Sequence, residues 1–188
     1  LSASRLRDQR LGELLEEQRL IFDSAHVGIL VLSHRQILRC NRRFAEMFGY
    51  ESAEALVGLS TSLFYSSAEV FASIGKAGYG GLAESGCTSF ECEMVRRNGE
   101  RIWVVQSGRA LTPDDALGGL SIWVYTDVTR LKLADREAHR LEEKFIRAFD
   151  SCPLAASISN IADGRFLEVN ASYERNFGWT REDLIGIS

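Results

Sequence analysis

Two short apolar runs separated by polar residues lie in the first quarter of the chain. Residues 28–32 (GILVL) and 37–40 (ILRC) flank the polar segment 33–36 (SHRQ). Short apolar runs on either side of turn-forming residues are typical of a β-hairpin. The pattern therefore predicts two antiparallel strands joined by a tight turn.

A helical pattern follows the hairpin directly. Asn41 lies where a helix should begin, because its side chain can accept hydrogen bonds from the free N–H groups of a first turn. The apolar residues that follow have helical spacing: Phe44, Met47 and Phe48. Gly49 tolerates a positive φ and is a typical helix end. A second short helix is predicted at 52–58 (SAEALVG), with a serine cap and a terminal glycine.

Three longer stretches with alternating apolar and polar residues complete the unit. They lie at 88–97, 100–111 and 118–129. Asn98-Gly99 predicts a tight hairpin turn between the first two, and Pro113, Asp114 and Asp115 predict a polar loop before the third. The order of elements predicts an α+β domain, with a five-stranded antiparallel sheet and helices packed on one face.

Much of this pattern occurs twice. Residues 41–58 recur as 170–186, and residues 21–29 (IFDSAHVGI) correspond to 148–156 (AFDSCPLAA). The recurrent positions pair Asn41 with Asn170, Phe44 with Tyr173, Phe48 with Phe177, Gly49 with Gly178, Leu56 with Leu184 and Gly58 with Gly186. A repeat of this length is domain-sized. We therefore expect one complete domain, the opening third of a second, and a longer parent protein.

Three motifs resemble those of a known family. They are N-x-x-F-x-x-M-F-G-Y at 41–50, R-x-N-G-x-x-x-W at 96–103 and D-V-T at 127–129. In this order they resemble the PAS (Per-Arnt-Sim) sensory domain with its C-terminal PAC half, as in bacterial multidomain signalling proteins. The resemblance implies this division: an N-terminal amphipathic helix at 1–20, a PAS domain at 21–129, a linker helix at 130–148 and a truncated second PAS domain at 149–188.

The segments that flank the domain have helical patterns of apolar residues. These are Leu11, Leu14, Ile21 and Ala25 before it, and Leu131, Ala134, Ala138, Leu141, Phe145 and Ala148 after it. Steps of three and four residues make a narrow seam typical of a coiled coil. We expect the 130–148 helix to form the seam of a parallel homodimer. The alternative is an amphipathic helix that lies across its own sheet.

Asp127 and Thr129 lie at the junction between the last strand and this helix. Thr129 is placed to cap a helix that starts at Arg130, and Asp127 can favour the helix start electrostatically. The PAS resemblance implies that this D-x-T couples movement of the sheet to the output helix. Capping alone is the alternative reading.

The resemblance also implies a pocket between the sheet and the helices. Candidate lining residues are Phe44, Phe48, Leu63, Phe64, Phe71, Ile74, Trp103, Val105 and Trp123. These large side chains could equally fill the core themselves, because protein interiors pack densely. The identity of a ligand is not predicted.

The sequence argues against several cofactors. The PAS members that bind haem use a His in a helix that here corresponds to 67–84, which contains none; His26, His34 and His139 lie elsewhere. The blue-light flavin members need a reactive Cys in a helix, whereas Cys40 ends a predicted strand. We therefore expect neither His-ligated haem nor a photoactive flavin.

Metal and phosphate sites are also not expected. Cys87 and Cys92 lack a second ligand pair and should point to opposite faces of their strand. The glycine-rich segment 75–81 (GKAGYGG) lacks the strand and the G-K-[ST] of a phosphate loop. We expect this segment to be a flexible connection, with its glycines weakening any helix.

Composition narrows the remaining function classes. The chain is 45% hydrophobic and 26% charged, as in ordinary globular proteins, and its net charge of −4 gives no electrostatic case for nucleic acid. No apolar run is long enough to span a bilayer. Four cysteines without close pairing in the sequence favour a reducing compartment, so a cytoplasmic location is expected, within a parent that could be membrane-anchored. No catalytic motif is present, and the chain itself is not expected to be an enzyme.

Two functions remain open from the sequence. One is a sensory module that detects a small molecule or a redox change and relays it to an effector in the same polypeptide. The resemblance implies a histidine kinase of a two-component system, or a cyclic-di-GMP enzyme of the GGDEF (diguanylate cyclase) or EAL type. The other is a ligand-free dimerisation and relay module.

The second copy, at 146–188, is predicted to contain a hairpin with Asp163-Gly164 as its turn, and helices that begin at Asn170 and Thr180. It lacks the three later strands. We expect its apolar residues to be covered by a second copy of the chain, in a contact that truncation creates. They are Ile158, Ile161, Phe166, Val169, Tyr173, Phe177 and Trp179.

Overall fold

The computed structural model describes residues 2–112 and 119–187. The predicted loop at Pro113, Asp114 and Asp115 lies outside the described residues. The chain divides into two compact units, Leu1–Arg130 and Leu131–Ser188.

The first unit has the predicted α+β order. Its elements are α1 (Ser2–Ser24), β1 (Gly28–Ser33), β2 (Gln36–Cys40), α2 (Arg42–Phe48), single 3-10 turns at Glu54–Leu56 and Thr61–Phe64, α3 (Ala68–Ser85), β3 (Cys87–Val95), β4 (Arg101–Ala110) and β5 (Leu120–Asp127). The strands form one antiparallel sheet in the order β2-β1-β5-β4-β3. The five-stranded sheet with helices is therefore confirmed.

The two predicted hairpins are present. The β1–β2 turn consists of His34 and Arg35, with φ values of 51° and 62°. Two successive residues with positive φ are typical of the type I′ turn, which matches the twist of the strands it joins. The β3–β4 turn contains Gly99 with φ 87°, and Arg96 and Glu100 close it by a backbone hydrogen bond of 2.9 Å.

Aromatic residues fill the centre of the first unit. Phe44 and Phe48 of α2 and Phe64 are fully buried, and Tyr125 of β5 is 2% exposed. Their ring centroids lie 4.5 to 5.1 Å apart in the closest pairs, a distance typical of favourable aromatic contacts. The inward residues of the strands, such as Leu30 and Ile102, complete this core.

The glycine-rich segment is not a flexible connection, which corrects the expectation from sequence. Ser67 caps α3 by accepting a hydrogen bond from the N–H of Val70, and the helix continues through the glycines to a C-cap at Gly86. The glycines permit close packing, because a methyl group at Gly75 would lie 2.5 Å from the Arg35 guanidinium and one at Gly81 would lie 2.7 Å from Thr88. Tertiary contacts therefore outweigh the low helix propensity of glycine.

The second unit repeats the beginning of the first. It contains most of α4 (Thr129–Ser151), followed by β6 (Ser157–Ser159), β7 (Phe166–Val169), α5 (Ala171–Phe177) and α6 (Arg181–Leu184). The predicted hairpin and both helices are present, and Gly164 in the turn has φ 71°. Thr180 and Asp183 form a capping box at the start of α6.

Both flanking helices are longer than the predicted ranges 1–20 and 130–148. No residue of α4 is buried, and Leu131, Leu141 and Phe145 are each more than half exposed. In the second unit Val169 is buried, whereas Ile161, Phe177 and Trp179 are exposed in the single chain. The expected covering by a second copy stays a prediction.

Candidate functional site

A small cavity of about 20 Å³ lies between α3 and the inner face of the sheet, which is the face toward the helices. Its polar wall consists of Arg35, Thr61, Tyr65, Tyr79 and Gln106, and its apolar wall includes Leu32, Ile74, Phe90 and Trp123. A volume of this size holds about one or two water molecules. The first unit therefore has a nearly filled core with one small, half-polar space.

Two of the nine residues predicted to line a pocket, Ile74 and Trp123, line this cavity. Phe44, Phe48 and Phe64 instead belong to the solid aromatic core. Leu63 is 49% exposed.

Strand alternation corrects two other predicted residues. Ile102, Val104 and Gln106 of β4 are buried on the inner face, so Trp103 and Val105 lie on the opposite face of the sheet. Phe71, the remaining predicted residue, is in contact with the side chain of Arg35.

Arg35 is the cationic group of the cavity. Its guanidinium lies over the Phe71 ring, 3.2 Å from the centroid, and its Nη2 donates a 2.8 Å hydrogen bond to the Phe71 carbonyl oxygen. Partial burial lowers the pKa of Arg35, and the neighbouring phenols of Tyr79 and Tyr65 partly oppose this. A cation–π contact of this kind stabilises a partly desolvated arginine.

Gln106 and Tyr65 form the neutral polar part of the wall. Gln106 is 2% exposed, and its side-chain amide exchanges hydrogen bonds of 3.1 and 3.3 Å with the Tyr65 hydroxyl. The other contacts of the Gln106 Nε2 are with the sulfur atoms of Cys92 and Met94, which are weak acceptors. Burial raises the pKa of Tyr65 well above its ordinary range, so this hydroxyl is neutral.

The sequence interpretation missed Arg35, Tyr65 and Gln106. The sequence interpretation placed Trp103 and Val105 on the inner face of β4, which puts Gln106 on the outer face, where a polar residue is ordinary. No signal marked Arg35 either, since turns are commonly polar. Its side chain lies beneath α3, next to Gly75.

The junction between β5 and α4 forms a second group of connected polar residues. Asp127 Oδ1 accepts a 2.9 Å hydrogen bond from the N–H of Thr129, and its Oδ2 pairs with Arg96 Nη2 at 2.9 Å. The hydroxyl of Thr129 accepts a 2.9 Å hydrogen bond from the N–H of Trp103 in β4. Burial would raise the pKa of Asp127, but the hydrogen bonds from Thr129 and Arg96 outweigh it and lower the pKa below its ordinary value.

This geometry changes the roles predicted from sequence. The helix begins at Thr129, and Asp127 supplies the hydrogen bond to its first N–H group. Thr129 does not cap the helix with its hydroxyl, because that hydroxyl bonds to the neighbouring strand. Thus Asp127 and Thr129 attach the first turn of α4 to β4 and to Arg96, which follows β3.

The cysteines divide into buried and accessible groups. Burial raises the pKa of both Cys40 and Cys92 to about 11, so neither thiol is a nucleophile near neutral pH. Cys87 is exposed and Cys152 is half-buried. As predicted, Cys87 and Cys92 lie on opposite faces of β3. None of the helices within residues 2–112 and 119–187 is long and apolar enough to cross a membrane.

Comparisons with known proteins agree with this fold. A family model described as PAS domain matches residues 16–76, and one described as PAS fold matches residues 143–188. The chain therefore belongs to the PAS family, with one complete domain and the N-terminal part of a second.

Among individual proteins, the Sensor protein TdiS of Thauera aromatica is 34% identical over 126 residues, which cover 66% of this chain and 22% of TdiS. The chain thus spans about a fifth of that relative's length. The PAS domain of a LuxR-family transcriptional regulator from Burkholderia thailandensis, solved in complex with ethanol, is 28% identical. It superimposes with a TM-score of 0.54 over 57% of this chain and 93% of its own.

A PAS domain from Colwellia psychrerythraea shares the fold, with 17% identity and a TM-score of 0.56 over 62% of this chain and 98% of its own. The family matches and the shared fold together identify the first unit as a PAS domain.

Proposed function

We propose that the chain detects a signal in the cavity beneath α3 and relays it through the sheet and α4 to an effector domain elsewhere in the polypeptide. The observation that carries this proposal is the attachment of the first turn of α4 to the sheet by Asp127 and Thr129. Together with the 2.9 Å hydrogen bond from the Val128 N–H to the Trp103 carbonyl oxygen, these contacts connect the sheet to the start of the helix.

Two strands connect the cavity with this junction. In β5, Trp123 and Tyr125 line the cavity, and Asp127 follows two residues later on the same side of the strand. In β4, Gln106 lines the cavity, and Trp103, three residues earlier, binds Thr129. A displacement of either strand at the cavity therefore reaches the start of α4 within about 10 Å, given a rise of about 3.4 Å per residue.

The effector is the less defined part of the proposal. TdiS carries the name sensor protein, and this chain matches 22% of it, which supports a parent with further domains. A histidine kinase is the first candidate, and a GGDEF or EAL cyclic-di-GMP enzyme is the second. PAS sensor domains commonly dimerise, and the exposed apolar positions Leu131, Leu141 and Phe145 of α4 support a homodimer.

The test uses the full-length parent. Asp127→Ala combined with Thr129→Ala removes both attachments, and Glu100→Ala combined with Thr126→Ala serves as a control at nearby exposed positions. We expect the first double variant to keep its fold by circular dichroism and to lose control of effector output. The control should respond normally. Normal regulation in the first double variant would refute the relay.

A ligand-free relay is the second candidate function. The observation that favours it is the small size of the cavity, about 20 Å³, beside a solid aromatic core. Native mass spectrometry of the purified chain distinguishes the two. A bound small molecule supports sensing in the cavity, whereas an empty protein whose regulation survives filling of the cavity supports the relay alone.

A further inference from the structure

Arg35 is a partly buried cation without a carboxylate partner among the residues that the structure describes. The groups that act on its charge are the phenols of Tyr79, Tyr65 and Tyr125, and within residues 2–112 and 119–187 no carboxylate forms an ion pair with it. Other arginines of the first unit do have carboxylate partners: Arg96 pairs with Asp127, and Arg101 pairs with Glu93.

Placing an arginine in this position opposes folding unless its charge is compensated. The contact with Phe71 and the hydrogen bond to its carbonyl oxygen compensate part of the lost hydration. The guanidinium donates that hydrogen bond through Nη2. A planar guanidinium carries five donors in a fork that matches a carboxylate in two parallel bonds, so an anion is the natural complement.

We propose that the cavity binds the carboxylate group of a small carboxylic acid, with Arg35 as its cationic partner. The proposal deepens the sensory function given above and rests on it, because it names the class of molecule that would be sensed. No covalent step is involved.

The dimensions of the cavity favour a very small acid. The cavity has space for about one or two water molecules, so even acetate, with four heavy atoms, needs small shifts of the lining side chains, and a larger acid would need more. The guanidinium can lie beneath α3 only because residue 75 is a glycine, since a methyl group there would be 2.5 Å from Nη1. An aromatic or long-chain ligand would require α3 to move away from the sheet.

The rest of the wall is suited to the two ends of such an acid. The Gln106 amide and the Tyr65 hydroxyl are further donors, and a carboxylate oxygen is a better acceptor for Gln106 than the sulfur atoms it now contacts. Ile74, Phe90 and Trp123 form an apolar surface that suits a methyl group. This apolar half is the reason to prefer a carboxylate over an inorganic oxyanion.

A route into the cavity lies along α3. Arg35, Gly75 and Tyr79 line both the cavity and an outer surface groove of about 410 Å³, which Lys76, Gly80 and Ala83 complete. The cavity and the groove therefore adjoin at these three shared residues. The Lys76 side chain adds a positive charge to the outer groove, and its charge would favour the entry of an anion.

The experiment titrates the 15N-labelled chain with three molecules of similar size and observes its two-dimensional NMR spectrum. Sodium acetate is the carboxylate, acetamide is its neutral counterpart, and sodium nitrate is a planar anion without a methyl group; sodium chloride keeps the ionic strength matched. We expect acetate to produce saturable shifts of the Trp123 indole and of the Gly75 and Gly78 amides. The exposed Trp179 indole should not shift.

Charge variants identify the cation. Arg35→Gln should weaken acetate binding by about tenfold or more, the effect of losing a charge-assisted hydrogen bond. Arg39→Gln is the matched control, because Arg39 is an exposed arginine of β2 whose guanidinium lies over Phe22, away from the cavity. Arg39→Gln should bind acetate like the unmodified chain. Equal binding by Arg35→Gln would overturn the assignment.

The unmodified chain alone is sufficient to refute the proposal, whether or not a variant folds. Absence of saturable shifts with acetate would overturn it, and so would equal affinity for acetamide or nitrate. The outcome is separable from that of the relay. If acetate binds but effector output does not change, the carboxylate site is supported and sensing through it is refuted. If the Asp127/Thr129 variant loses regulation but the chain does not bind acetate, the relay is supported and the carboxylate site is refuted.

Discussion

Asn41 and Asn170 make the same four hydrogen bonds in the two repeats, with the same backbone angles of φ −87° and ψ 166°. In each case Oδ1 accepts from two N–H groups and Nδ2 donates to two carbonyl oxygens. The partners of Asn41 are Phe44 N, Ile29 N, Phe22 O and Val27 O, and those of Asn170 are Tyr173 N, Ala156 N, Phe149 O and Leu154 O.

These bonds connect three elements through one side chain. Asn41 joins the last turn of α1, through Phe22, to the start of β1 and the first turn of α2. Asn170 joins the last turn of α4, through Phe149, to the corresponding elements of the second unit. In each repeat, therefore, the side-chain amide of the equivalent asparagine connects the preceding helix to the strand and the helix that follow.

Removing this amide should destabilise the first unit. Asn41 is fully buried, so Asn41→Ala leaves two N–H groups and two carbonyl oxygens without these partners, and we expect a loss of about 2–4 kcal/mol of unfolding free energy. Urea denaturation measures it. Asn98→Ala, in an exposed turn where Oδ1 accepts one hydrogen bond from Glu100, should lose about 1 kcal/mol or less. Equal losses would contradict the structural role of Asn41.

The sequence predicted much of the framework and little of the cavity. Asn41 was found because an N-cap followed by apolar residues is a local pattern that recurs at Asn170. The hairpin turns were equally local. The inner face of β4 was predicted wrongly, because Trp103 and Val105 are large and apolar and were therefore expected to point inward. In the structure the inward residues are Ile102, Val104 and Gln106. Which face of a strand is buried depends on contacts distant in sequence.

The resemblance implies a helix at 67–84, but its glycine-rich C-terminal part could not be predicted as helical, because glycine propensity argues against it locally. Its glycines are compatible with a helix for a reason visible only in three dimensions, namely their closeness to Arg35 and to Thr88. Arg35 itself was interpreted as a turn residue. Its position in the cavity depends on a packing relationship between residues 35 and 75.

The charge of Asp127 should stabilise the fold in a pH-dependent way. Its pKa is lowered in the folded state, so the stabilisation is present above the unfolded pKa of about 3.9 and is lost as pH falls through the folded value. Asp127→Asn should therefore cost about 1–2 kcal/mol near neutral pH. The difference from the unmodified chain should shrink as the pH falls below the unfolded pKa of about 3.9.

Urea denaturation across this pH range measures the effect. Glu100→Gln is the control, because Glu100 approaches the same Arg96 at 3.6 Å but is 54% exposed, and exposed ion pairs contribute little. The charge assignment would be wrong if Asp127→Asn had the same effect at all pH values.

The contact between Gly75 and Arg35 can be measured by a double-mutant cycle. Gly80 has open space around it, so Gly80→Ala should stabilise α3 by about 0.5–1 kcal/mol. Gly75→Ala should gain less or lose stability, because its methyl group displaces the Arg35 guanidinium from Phe71. In an Arg35→Ala background the same change should stabilise α3 as Gly80→Ala does. A Gly75→Ala effect that is independent of residue 35 would contradict the contact.

Thiol labelling should follow burial. Cys87 is exposed, whereas burial raises the pKa of Cys40 and Cys92 to about 11, so brief N-ethylmaleimide treatment near pH 7 should modify Cys87 first and leave the two buried thiols unmodified. Mass spectrometry of peptides gives the sites, and treatment in urea should label all four cysteines. Labelling of Cys40 or Cys92 at the rate of Cys87 would show that the core opens. A redox signal acting on the folded chain would then have a route to those thiols.

The apolar seam of α4 should hold a homodimer together. Leu131 and Leu141 are 71% and 55% exposed in the single chain, and with Ala134, Ala138 and Phe145 they repeat at coiled-coil spacing. Leu131→Glu combined with Leu141→Glu would bury two carboxylates in the seam, which costs several kcal/mol unless the dimer dissociates. Sedimentation equilibrium should therefore show a monomer.

A matched pair of substitutions separates the seam from a general effect of added charge. Leu133 and Ile146 also belong to α4 and are 57% and 44% exposed, but they lie outside the seam spacing. Leu133→Glu combined with Ile146→Glu introduces the same charge into the same helix and should leave the dimer affinity nearly unchanged. If both double variants dissociate equally, charge repulsion rather than the seam explains the loss. If the seam variant dimerises like the unmodified chain, α4 does not form the interface. The apolar face of α4 would then pack against a surface other than a second α4 helix.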